Sequence, residues 1–279
     1  MAEAPRLYAV PNVSEGADAA AIAAIGEAFS SPDGVELLDV HSDADHNRSV
    51  YWLAGGPGRL AEALAAGAKA SAERIDLRRN RGVHPHVGAL DVAPVVFLDD
   101  ERRGAACAEA LLAGARIAEV AGLPVYLYGI LADGRTRAEL RKGGLSGLRE
   151  RGTVPDFGAQ HPLGDRSGAV LVAARAPLIA FNLEIEGDLE TAKAIAATIR
   201  RELTGVRALG LWLDSAGVAQ VSTNVEDHVA TPLPKLLEAV RAQAPVTEAE
   251  LVGLAPPHAF DGWPDDVPVR NRRELDDDA

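Results

Sequence analysis

Short apolar runs and period-two alternation trade places along the chain with Ala-rich stretches of helical period, and Gly, Pro or Asp punctuates each change. In the first half this pattern predicts strands over residues 7–13, 35–41, 49–54, 87–98 and 125–128, with helices over 18–30, 57–75 and 103–120. Pro57 is placed inside the first turn of its helix, where its missing N–H has no intrahelical partner to lose. Between residues 129 and 168 the pattern breaks into charged, Gly- and Pro-rich sequence, with a short helix expected near Arg137. Alternation resumes with strands over 169–174 and 178–185 and a helix over 189–203. A hairpin follows, whose arms 209–213 and 219–223 flank Asp214-Ser-Ala-Gly217. A helix over 233–241 and a strand over 250–254 complete the series.

Each half therefore runs strand, helix, strand, strand, helix, strand, the order of a ferredoxin-like unit. The expected class is α+β, with two ferredoxin-like α/β subdomains, layered sheets and outer helices. The expected divisions are 1–168 for the N-terminal subdomain with a connecting loop, 169–257 for the C-terminal subdomain, and 258–279 for a loosely held acidic tail. That tail is poor in apolar residues and closes on Asp-Asp-Asp-Ala.

Composition sharpens this picture. Hydrophobic residues make up 47% of the chain but aromatic ones only 4%, so the core must be aliphatic side chains packed between helices and sheets. The formal net charge of −13 opposes binding to nucleic acid or to an anionic membrane surface. No apolar run approaches the roughly 20 residues that span a bilayer, and no signal-peptide pattern opens the sequence, so a cytoplasmic location is expected. Cys107, the sole cysteine, falls in an Ala-rich helical pattern as a small apolar side chain with no disulfide partner in the chain. An anionic ligand would need a local basic patch. Arg74, Arg78, Arg79 and Arg81 form one basic stretch, and Arg141, Lys142, Arg149 and Arg151 form another; either is also what a solvated face looks like.

Two of the histidine-bearing segments carry candidate chemistry. His41-Ser-Asp-Ala-Asp-His46 has a spacing that superficially suits a metal. It runs directly into what reads as the return strand of a hairpin rather than into a helix, and no metal is expected. Gly82-Val-His84-Pro-His86-Val-Gly88-Ala-Leu-Asp91 combines close-approach glycines, a stiffening proline and a titratable ring, which suits a general base. A turn histidine bonded to backbone fits that segment equally well. Asp91 falls among apolar residues, where a charge needs a partner; it either orients His84, neutralises an arginine, or satisfies backbone donors. Residues 155–168 form a loop with glycines and polar donors suited to a flat polar ligand, or a linker between domains.

Taken together these segments resemble one family. Val10-Pro-Asn-Val-Ser-Glu-Gly16, Leu37-Leu-Asp-Val40 with Asn47-Arg48, and His84-Pro with Gly88-Ala-Leu-Asp-Val92 resemble the formiminotransferase domain, in that family's order. Val125-Tyr-Leu-Tyr-Gly129, Pro155-Asp-Phe-Gly158, Leu178-Ile-Ala-Phe-Asn182 and Ala219-Gln-Val-Ser-Thr-Asn224 continue the likeness, which covers roughly residues 7–254. The resemblance implies a homodimer that transfers the formimino group of N-formimino-L-glutamate to tetrahydrofolate, a co-substrate, in histidine degradation. Passage of a formyl group between 5-formyltetrahydrofolate and glutamate, and folate binding without turnover, remain the alternatives.

By the same resemblance His84 is the catalytic base. The folate loop is Gly158, Ala159, Gln160, His161, Pro162, Leu163, Gly164, Asp165, Arg166, Ser167 and Gly168, while Asn12, Arg48 and His86 are substrate-binding candidates. This chain departs from the family at two of these positions. His86 stands where the family commonly has arginine, and His41 stands where some members have an acidic residue that assists the base; His41 is expected to polarise the imidazole or hold substrate. Arg48, Arg166 and Arg175 are the candidates for meeting substrate carboxylates. A cyclodeaminase-like second domain is not expected.

Overall fold

The computed structural model describes residues 6–275. The chain divides between Ala176 and Pro177 into two compact units, each with its own core.

The first unit opens with β1 (Leu7–Ala9) and β2 (Asn12–Val13). They are one predicted strand, interrupted where Pro11 can donate no backbone N–H. Helix α1 (Ala19–Phe29) starts where the Asp18 carboxylate accepts the N–H groups of Ala20 and Ala21. A hairpin of β3 (Val35–Asp43) and β4 (Arg48–Gly55) leads into α2 (Arg59–Arg74) and a 3-10 turn at Leu77–Arg79. The predicted proline start is displaced: Pro57 lies ahead of α2, whose N-cap is Gly58 with φ +83°. Then come β5 (Leu90–Val96), α3 (Arg103–Ala121), β6 (Val125–Leu127), α4 (Arg137–Arg141), α5 (Gly144–Glu150) and β7 (Val170–Arg175).

Seven strands form one sheet, ordered β1-β4-β2-β5-β7-β6, with β3 paired to β4. With β1 and β2 counted as one strand, the first four positions are a ferredoxin-like sheet. Strands β7 and β6 extend it in parallel beyond β5. A parallel neighbour needs a long crossover, which α3 supplies. Helices α1, α2 and α3 bury one face under Phe29, Leu60, Leu64 and Ile117. The opposite face at β5, β7 and β6 is covered by Leu140 and Leu148 of α4 and α5, so β5 is buried along its whole length.

The second unit runs β8 (Ile179–Ile185), α6 (Leu189–Glu202), β9 (Val206–Leu213), β10 (Val218–Val225), α7 (Leu233–Arg241), β11 (Val246–Val252) and β12 (Val269–Arg270). Its strand order β12-β11-β8-β10-β9 places the first strand between the last and the third, as a ferredoxin-like unit requires. The predicted hairpin is present: Gly217, at φ +66°, turns the chain and its N–H donates to the Leu213 carbonyl at 2.8 Å.

Two expected boundaries move. The strand expected over 169–174 as the first of the C-terminal subdomain forms as β7 and instead pairs with β5 and β6, so the division falls after Ala176 rather than after Gly168. The tail beyond 257 was expected to be loosely held. Through Leu275 it is packed: Ala259, Phe260, Val267 and Leu275 are buried and β12 pairs in parallel with β11. Its few apolar residues are concentrated where they count, since Phe260 and Trp263 meet Phe181 of β8 edge to face at 6.1 and 5.2 Å. Residues 276–279 lie outside the described part.

Candidate active site

His84 sits on the segment between the 3-10 turn and β5, tied down at both ends. Upstream, the Asn80 amide bridges the Ser14 carbonyl and the Gly82 N–H, and the Val83 N–H donates to the Asp45 carbonyl at 3.0 Å. This brings the segment across the β3–β4 turn so closely that a Cβ at position 82 would lie 2.2 Å from the His46 carbonyl oxygen. Downstream, the Val87 N–H donates to Asp91 Oδ1 at 2.9 Å, and a Cβ at Gly88 would lie 1.8 Å from the Ala169 carbonyl. The glycines singled out in the sequence thus permit contacts that any side chain would block.

The ring of His84 lies 6.3 Å from that of His46. Its Nδ1 is buried with no hydrogen-bond partner among the described residues. His46 is itself buried and held by Asp43, whose Oδ1 meets its Nδ1 at 2.9 Å and its backbone N–H at 2.7 Å. Burial would raise the Asp43 pKa, but the bonds and charge of His46 bring it down to about 2.

Beside these rings lies a set of buried charges. Asp91, fully buried on β5, accepts from Arg48 Nη1 at 2.9 Å and from Arg141 Nη2 on the same oxygen, Oδ2. Burial pushes the Asp91 pKa up, yet Arg141 and Arg48 outweigh it and hold it at about 2. Arg48 also donates to Asn12 Oδ1 at 3.1 Å. Burial lowers the pKa of both guanidiniums, to about 10 for Arg141, with Asp91 opposing and neighbouring arginines adding to the fall. His84 is pushed well below the usual imidazole value of 6.5, first by burial and then by the charges of Arg48, Arg141, His46 and Arg137. At neutral pH it is an uncharged ring able to accept a proton.

An open groove of about 520 Å³ runs past this ring, lined by Leu77, Gly82, His84, His86, Gly144 and Asp165 among others. His86 Nδ1 lies 3.3 Å from the His84 carbonyl. His41 is buried on β3, opposite Val50, and its charge bears on Asp43. The loop 158–168 is divided in placement. Gly158 turns at φ +70° against the Leu123 carbonyl just past α3, with His161 beside it. Asp165 reaches the groove, and Gly168, at φ +65°, passes within contact of Val87 and Gly88. Arg166 donates to the Glu73 carbonyl at 2.7 Å, and Arg175 to that of Ala176 at 2.9 Å.

Of the basic stretches picked out in the sequence, Arg141 alone joins the buried cluster. Arg78 pairs with Asp76, and Arg149 with Asp165. Asp91 takes the second and third of its expected roles, neutralising arginines and accepting the Val87 N–H. Arg137 lay in a stretch read as connecting sequence and His46 had been weighed only as a metal ligand, yet the His46 ring lies near His84 and the charges of both bear on it. Among the described residues no three His, Cys, Asp or Glu side chains gather as a metal-ligand group, and no helix is long and apolar enough to cross a membrane.

Two ferredoxin-like units, the first with an uncharged histidine set among guanidiniums, define an α+β protein. The N-terminal subdomain of the formiminotransferase domain matches residues 6–175 and the formiminotransferase domain matches residues 173–261, so the chain belongs to the formiminotransferase family of one-carbon transferases. It is 36% identical over 270 residues to a glutamate formimidoyltransferase of Thermoplasma acidophilum, covering 90% of this chain and 88% of that protein. A glutamate formimidoyltransferase of Streptococcus pyogenes serotype M1 is 34% identical over 272 residues, covering 90% and 89%. The formimidoyltransferase-cyclodeaminase of Gallus gallus is 37% identical over 272 residues; the chain spans about half of that longer protein's length.

Proposed function

We propose that this chain transfers the formimino group of N-formimino-L-glutamate to N5 of tetrahydrofolate, releasing L-glutamate, with His84 as the proton-transfer residue. The observation that carries this is the state of His84: uncharged, anchored at both ends, and with a buried Nδ1 that no described residue occupies. The names of the two 34–36% identical relatives supply the reaction.

In this reading N5 attacks the amidine carbon, giving a tetrahedral intermediate. His84 takes the N5 proton and returns it to the glutamate nitrogen as the C–N bond to glutamate breaks. Such a positioned base contributes roughly 10²–10⁴-fold. Alignment of two substrates in one groove adds to it by removing translational freedom from the transition state. Asn12, Arg48 and His86 hold the donor side and the loop 158–168 the folate, while His41 polarises the imidazole or holds substrate. Activity as a cytoplasmic homodimer in histidine degradation belongs to the same proposal.

Glutamate release from N-formimino-L-glutamate and tetrahydrofolate, in wild type and His84→Ala, tests it. Turnover in wild type that drops by about 10²–10⁴-fold in a folded variant is expected. A wild type that binds folate but releases no glutamate would sink the reaction in favour of binding alone. Turnover only with 5-formyltetrahydrofolate and glutamate would replace the donor.

A further inference from the structure

Two arginines hold one carboxylate beside His84, and the charge of a third bears on both of them. Asp91 is already engaged at both oxygens: Oδ1 takes the Val87 N–H and Oδ2 takes both Arg48 and Arg141. Arg137, half-buried on α4, bears on Arg48, Arg141 and His84 through its charge, and among the described residues it has no carboxylate partner. The cluster thus holds three guanidiniums against one carboxylate. It also keeps two buried polar atoms without hydrogen-bond partners among the described residues, Arg141 Nε and the hydroxyl of Tyr128, which lies close enough to Arg48 to interact with its charge. Buried donors left open in a region of surplus positive charge are costly unless an anion completes them.

We infer that Arg137, Arg141 and Tyr128, together with Arg48, form a subsite for the α-carboxylate of the formimino donor. This rests on the proposed reaction. The choice of donor over folate follows from reach. The His84 segment hangs on Asp91 through Val87, and the arginines on Asp91 lie near enough for their charge to act on the proton-transfer residue. In N-formimino-L-glutamate the α-carboxylate is attached to the carbon that bears the amidine nitrogen. In tetrahydrofolate the carboxylates are held away from N5 by the rigid aminobenzoyl spacer. A carboxylate bound beside the reacting centre therefore comes from the donor. Bound there, it orients the amidine toward N5, and its charge offsets the positive field on His84 once the donor is in place.

The test compares N-formimino-L-glutamate with N-formimino-4-aminobutanoate, which lacks the α-carboxylate, in wild type, Arg137→Gln and Tyr128→Phe. Binding of each probe is measured by calorimetry, and turnover with tetrahydrofolate is followed in the same preparations. Wild type should prefer the full donor by about 10–100-fold, the range of one or two charge-assisted hydrogen bonds. Arg137→Gln should lose most of that preference and Tyr128→Phe part of it, with the KM for tetrahydrofolate unchanged. A preference that survives in both variants, or a loss that appears in the tetrahydrofolate KM instead, overturns the subsite. Discrimination that depends on Arg137 in a wild type without turnover would retain the subsite and refute the reaction. Turnover with unchanged discrimination in both variants would do the reverse.

Discussion

Asp91 is the one charged position on a strand otherwise made of apolar residues, and its cost is met by two arginines drawn from distant parts of the chain. Asp91→Asn would leave Arg48 and Arg141 buried without a carboxylate, and removing one partner of such a group costs about 3–5 kcal/mol. Urea unfolding checks this; a loss under about 1 kcal/mol would mean that water already screens the cluster. Because Asp91 is held at about 2, its contribution is complete above its ordinary value of 3.8 and disappears as pH falls toward 2. His84 is depressed in the same direction but is uncharged when stable: folding is indifferent to it above 6.5 and is penalised as pH drops below. Two readings follow. Stability should decline below pH 6.5 less steeply in His84→Ala than in wild type. The acid limb of kcat/KM, which reports the free enzyme, should lie below 6.5, whereas a limb at 6.5 or above would refute an uncharged resting base.

Helix α2 shows how elements repair what local sequence leaves undone. Gly58 caps it without a side chain, so no cap side chain accepts its first N–H groups, and of these the Arg59 N–H turns to the Gly56 carbonyl at 3.1 Å. Glu109, buried on α3, supplies both oxygens, accepting the Gly58 N–H at 2.5 Å and the Ala61 N–H at 2.7 Å. Glu109→Ala should cost about 2 kcal/mol in urea unfolding, and Glu109→Gln, which keeps an acceptor, clearly less. Equal losses would mean that charge rather than capping is what matters. Helical period revealed α2 and α3 but not this link, since a Glu in an Ala-rich helix ordinarily reads as a solvent-facing position. Gly82-Val-His84-Pro-His86-Val-Gly88 was legible for the opposite reason: its glycines are so placed that only close backbone approach accounts for them, and the structure puts Gly82 against His46 and Gly88 against Ala169.

At the scale of the molecule, the tail from residue 258 through Leu275 packs into the second core. Phe260→Ala, which breaks the cluster with Phe181 and Trp263, should cost about 3–5 kcal/mol. A loosely held tail would show almost no change in the urea midpoint. The sequence by itself determined the kinds of element and most of their places: the two strand-helix-strand-strand-helix-strand series, the Asp214–Gly217 hairpin turn and the anchored His84 segment. Such features are written in periodicity and in residues with special backbone freedom, both local properties. Only the tertiary structure decided that residues 170–175 join β5 and β6, that Phe260 packs on Phe181, and that Arg48 and Arg141, 43 and 50 residues from Asp91, converge on its carboxylate. An alternating run shows that a segment is a strand but not which strand it pairs with, and a formal net charge of −13 gives no sign of a local surplus of arginines. Pairing and charge balance depend on which distant segments are buried together, and packing settles that.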